Sequence, residues 1–148
     1  MTEPAPSARR ISERLLSATG DAMLRGDFDE FAAYFALPQR IGTFDGSRVL
    51  TTRTELRDTF EAVRAHYKRL NVTDMARHCA DAIFVDDRTI QSTHVSRLLS
   101  GPLLVQEAYP VLSILRKTDA GWRIVSSQYA APGKAGLNAV LLGARVGV

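Results

Sequence analysis

The chain has 148 residues, 45% hydrophobic and 24% charged, with a formal net charge of +3. That length makes one domain, and folding at this size buries about 70% of the surface that the unfolded chain exposes. The Lys and Arg residues are scattered, with no basic stripe interleaved with aromatics, which argues against nucleic-acid binding; no apolar run is long enough to cross a bilayer, which argues against membrane insertion.

The polar N-terminus has no apolar segment of a secretory leader, so a cytoplasmic location is expected. The single cysteine, Cys79, cannot form an internal disulfide and reads as a small buried hydrophobe in a reducing compartment.

Residues 1–7 form a proline-containing tail. From there an amphipathic helix carries Ile11, Leu15, Ala18, Ala22 and Met23 at helical spacing; Gly20 weakens it, and Gly26 ends it with a left-handed cap. Asp27 and Glu30 form a capping box that opens a second helix. Phe28, Phe31 and Phe35 project from it towards a core, and Pro38 stops it. Two short extended runs follow around the Asp45-Gly46 turn. Thr52 and Glu55 repeat the capping box and start a third helix, with Leu56, Phe60, Val63, Tyr67 and Leu70 on one stripe. Its opposite face, with Arg57, Glu61, Arg64 and Lys68, reads as solvated.

The rest is strands. Residues 72–85 form one long or bulged strand, and 89–99 the next. Tyr109 to Tyr129 then forms the central hairpin, turning at residues 118–121. Residues 111–115 are almost all apolar and predict a strand covered on both faces. After the turn, Trp122, Ile124, Ser126 and Gln128 share one face, and Arg123, Val125 and Ser127 the other. Helices first and meandering strands last predict an α+β domain over residues 8–130, its helices against one face of an antiparallel sheet. Residues 131–148 form an apolar extension, helical from Leu137 through Val140, Leu141 and Ala144. So apolar a segment is expected to dock on its own sheet or on a partner subunit, with a slight preference for the partner.

The order of a first helix, Gly26-Asp27-Phe28-Asp29 entering a Phe-rich helix closed by Pro38, a third helix and a late Gly-Trp-Arg-Ile strand resembles the NTF2-like superfamily. In particular it resembles the small SnoaL-like and ketosteroid-isomerase-like bacterial members. It implies a cone: three N-terminal helices packed in a strongly curved sheet, with a pocket at the wide end. It also implies a homodimer through the outer sheet face, here including Arg123, Val125 and Ser127. Members range from isomerases, dehydratases and cyclases to proteins without catalysis, so fold does not decide function.

Isomerases of that family use a carboxylate base at the start of the first strand and a tyrosine on the first helix. Residues 37–42, LPQRIG, contain no acid and the first helix no tyrosine. His94 is the strongest catalytic candidate, because it shares a strand face with Ile90, Ser92, Ser96 and Leu98 and can act as acid or base; the alternative is a histidine bonded to the sheet or facing solvent. His66, His78 and His94 lie on three elements with no ligand-like spacing, so neither a metal nor another cofactor is expected. Tyr34, Phe35, Phe60, Tyr67, His94, Trp122 and Gln128 together make the predicted pocket, apolar with a polar minority. Its expected ligand is a small hydrophobic or aromatic molecule, acted on by a lyase, isomerase or cyclase. The competing expectation is a non-catalytic homodimerisation module.

Overall fold

A computed structural model describes residues 6–130 and 136–143, the Ala139 side chain excepted. The predicted tail at 1–5, the loop at 131–135 and Ala144 lie outside them.

Helix α1, Ala8–Arg25, starts where the Ser7 side chain accepts from Arg10 N–H and ends at Gly26, whose φ of 76° is the left-handed cap. Asp27 accepts from Glu30 N–H and opens α2, Phe28–Ala32. This helix is shorter than its sequence predicts: Phe35, Leu37 and Pro38 belong to strand β1, Phe35–Thr43. The cause is tertiary. Ile124 N–H, from a strand 90 positions later, donates to Tyr34 C=O at 2.8 Å, and sheet pairing overrides local helix preference. Pro38, lacking an N–H, falls in the register break between Phe35 and Arg40, where no ladder bond is lost.

Strand β2, Gly46–Leu50, returns after the Asp45-Gly46 turn. Helix α3, Arg53–Arg69, is capped by Thr52, and its buried stripe is Leu56, Phe60, Val63 and Tyr67. Arg64, expected on the solvated face, instead donates to the carbonyls of Met23 and Leu24 in the last turn of α1.

Strands β3 (Asp74–Asp86), β4 (Thr89–Ser100), β5 (Leu103–Leu104), β6 (Tyr109–Thr118) and β7 (Gly121–Tyr129) complete the sheet. The spatial order is β2-β1-β7-β6-β4-β3, with β5 on β4, so the β6–β7 hairpin is central as predicted. The sheet is curved and unclosed, and it is mixed rather than purely antiparallel because β1 runs parallel to β7.

One residue changes the predicted faces. Ile114 pairs with Ser126 but Leu115 with Ile124, so Val125 is an extra residue in β7. Beyond a bulge, alternation resumes one position out of phase. Trp122 and Ile124 therefore point inward, but so do Ser127 and Tyr129, while Gln128 is exposed. The assignment of Ser127 to the outer face and Gln128 to the inner one is thus reversed. The double coverage expected for 111–115 is also absent among the described residues: Val111, Ser113 and Leu115 are buried, but Leu112 is 38% exposed.

The core has two parts. At the narrow end of the cone Ala8, Ile11 and Leu15 pack on Ile90, Leu115 and Ile124, with Trp122 partly buried beside them. The larger cluster, towards the wide end, joins Met23, Phe28, Phe60, Val63 and Tyr67 to Leu98 and Val111. It includes Leu137, Val140 and Leu141 of the short helix α4, Leu137–Leu141, which packs against α3 and β1 of its own chain.

Candidate functional site

Register alone stacks the concave side chains into rungs. At the narrow end Phe84, Ile90, Leu115, Ile124 and Phe35 are cross-strand partners in sequence. The next rung is Ala82, Ser92, Ser113, Ser127 and Ile41. Above it come Cys79, His94, Val111 and Tyr129, then Arg77, Ser96 and Tyr109. Strands lie about 4.8 Å apart, so members of a rung touch. The concave face thus grades from apolar, through hydroxyls, to a belt of imidazole, phenols and one guanidinium.

That belt surrounds a cavity of about 90 Å³ between the sheet, α1, α3 and α4. Leu15, Met23, Phe31, Leu56 and Phe60 supply its apolar wall, Leu137 and Leu141 of α4 its wide end. Gln39, Arg77, His94 and the phenols of Tyr67, Tyr109 and Tyr129 join serine and threonine hydroxyls in its polar lining. None of the described lining residues is Asp or Glu.

Of the predicted pocket residues, Phe35, Phe60, Tyr67 and His94 line this cavity. The other three do not. Tyr34 follows α2, its hydroxyl donates to Glu30 Oε1 at 3.1 Å on the surface, and its ring lies under Arg123. Trp122 faces inward but at the narrow end, against Phe84. Gln128 is turned out by the bulge at Val125.

His94 is 5% exposed and makes no hydrogen bond among the described residues. Burial, then the charge of Arg77, then His78 push its pKa down to about 3, so the imidazole is neutral near pH 7, with one nitrogen a donor and the other an acceptor. Tyr67, Tyr109 and Tyr129 all keep their protons, because burial raises each phenol, Tyr129 to about 12. Tyr67 and Tyr109 interact through their hydroxyls.

Arg77, Gln39, Tyr109 and Tyr129 escaped the sequence reading. Arg77 was legible in principle, since it alternates with Met75 and Cys79, but a lone arginine in a long strand reads as solvated. Its Nη2 donates to Leu16 C=O and Thr19 Oγ1, and it lies so close to α1 that a Cβ at Gly20 would meet Nη2 at 2.8 Å. The helix-weakening glycine is the place where Arg77 crosses. Gln39 sits 2% exposed in the acid-free segment, and its Oε1 has no partner among the described residues.

Among the described residues no group of three or more His, Cys, Asp or Glu clusters to hold a metal, and no helix is long and apolar enough to cross a membrane. A bent sheet wrapped round N-terminal helices, with its cavity on the concave side, defines the NTF2-like class. Residues 10–132 match the family described as NTF2-like protein (DUF6841), and the chain belongs to it. No curated protein matches the chain.

Solved structures show the same fold. A Nostoc punctiforme protein with a cystatin-like fold shares 21% identity at a TM-score of 0.64, covering 86% of this chain and 80% of its own. A putative NTF2-like dehydratase from Streptomyces avermitilis shares 20% at 0.61, covering 84% and 95%. A ketosteroid isomerase-like protein from Erwinia carotovora atroseptica shares 17% at 0.62, covering 86% and 100%. At these identities the likeness is one of fold.

Proposed function

We propose that the protein binds a small hydrophobic molecule inside the cone and acts on it as a lyase, isomerase or cyclase, with His94 as acid or base. The observation that carries this reading is His94 itself: buried, without a hydrogen bond among the described residues, and set in a cavity wall of mixed polarity. Its neutral ring offers one donor and one acceptor nitrogen to a guest molecule. The fold's likeness to isomerase-like and dehydratase-like proteins supports the same class. A carboxylate-base mechanism is not supported, since Gln39 and no acid faces the cavity from β1. A resting pKa of about 3 makes His94 a weak base, and negative charge developing on a bound molecule would raise it.

The cavity of about 90 Å³ is about 60% of the volume that admits benzene, so an aromatic guest requires α4 to move. The same reading has the protein working in the cytoplasm, where its buried free Cys79 stays reduced. The test is a methyl and imidazole NMR titration with ketones from acetone to cyclohexenone. Saturable shifts are expected at Ile41, Val63 and His94 and not at Ile83 or Leu103. If neither a ketone nor a small carboxylate saturates, the reading fails.

A second reading, a homodimerisation module, is favoured by exposed apolar side chains on the outer sheet: Leu112, Ile83 and Val85. Sedimentation of wild type as a dimer and of Leu112→Asp as a monomer is its expected result; a wild-type monomer at high micromolar concentration removes it.

A further inference from the structure

Arg77 is the one charged side chain among the described residues that line the cavity, and none of their ion pairs includes it. It is half-buried, lining both the cavity and an open groove with Glu13 and Asp21, and a partly desolvated guanidinium without an ion pair gains from an anion on its cavity side. Asp21, on α1, favours its charged form but makes no ion pair with it among the described residues. One nitrogen, Nη2, is used on α1; no hydrogen bond engages Nε or Nη1 among the described residues. Around it stand donors: the phenols of Tyr67, Tyr109 and Tyr129, and the neutral imidazole of His94.

We propose that the guest is a small organic monoanion, a carboxylate of about four or five heavy atoms by comparison with benzene in a larger cavity, its charge held at Arg77 and the phenols. Its short apolar chain lies against Leu15, Val63 and Ile41. This rests on the small-molecule reading above and narrows its substrate class. The same charge, placed beside His94, makes the imidazole a better base than it is in the empty protein.

The test is titration of the full chain with sodium propionate and, in parallel, propionamide at constant ionic strength, followed by the Arg77 Nε and tyrosine ring resonances. Propionate is expected to bind at least tenfold more tightly than the isosteric amide. Arg77→Gln should abolish that preference and Arg77→Lys restore part of it, while Arg97→Gln, on the outer face, should leave it intact. Should Arg77→Gln not fold once its contacts with α1 are gone, Tyr109→Phe should weaken propionate at least threefold and the amide less. Equal affinity for propionate and propionamide, or a propionate preference that survives Arg77→Gln, overturns the proposal. If ketones saturate the cavity and propionate does not, the anion is wrong and the small-molecule reading survives; if none binds, both fall.

Discussion

The two ends of the cone are built from the same strands and the same face, two rungs apart, yet they obey different rules. At the narrow end Ile90, Leu115 and Ile124 meet Ile11 and Leu15, and every group present gains by leaving water. Towards the wide end the next two rungs hold Ser92, His94, Ser113, Ser127 and Tyr129, and the space between them is not filled. Polar side chains on a concave, water-poor surface cost stability that aliphatic ones would supply. The narrow end holds the sheet to α1; the wide end forgoes packing to keep a cavity.

The largest effect should separate the ends most plainly. Ile90→Ala, at a position with no exposed surface, should cost about 2–5 kcal/mol in urea denaturation. Ser113→Ala on the neighbouring rung should cost about 1 kcal/mol. Equal losses would mean that the serine rung is as tightly packed as the apolar one.

Acid should act through the wide end. The folded His94 imidazole stays neutral down to about 3, whereas the unfolded one takes a proton below about 6.5. The unfolded state therefore binds more protons as pH falls, so this contribution is complete above pH 6.5 and is lost progressively below it. Between pH 6.5 and 5 the loss should approach about 2 kcal/mol. Arg77 and His78 act on His94 in the same direction, and His66 on α3, also shifted down by burial, adds its own loss. The difference between wild type and His94→Gln isolates the His94 part. A variant as acid-sensitive as wild type in that window would assign the effect elsewhere.

Two smaller tests sharpen the contrast. Leu137 is as buried as the narrow-end residues, but it belongs to a five-residue helix that can resettle. Leu137→Ala should therefore cost about 1–2 kcal/mol, below the Ile90 value, because a site that collapses keeps a smaller hole. Across the bulge, Ser127→Ala should cost about 1 kcal/mol by leaving Ser113 without its partner, and Gln128→Ala less than about 0.5 kcal/mol. The reverse order would put Val125 back in a regular strand.

The chain's own sequence determined what is local. Helix α1 and its Gly26 cap, the Thr52 start of α3, the 45–46 turn and the central β6–β7 hairpin follow from spacing and side-chain capping within a few residues. So does the shared burial of Ile90, Ser92, His94, Ser96 and Leu98, because a strand alternates without reference to its neighbours. Pairing between distant strands decided the rest. The bond from Ile124 to Tyr34 shortened α2, and the unpaired Val125 exchanged Ser127 for Gln128. Register then brought Arg77 of β3 level with Tyr109 of β6 across Ser96, making a polar belt from residues that carry no common motif. A hydrogen-bonded ladder counts residues on two chains at once, and a single strand cannot reveal where its partner skips one.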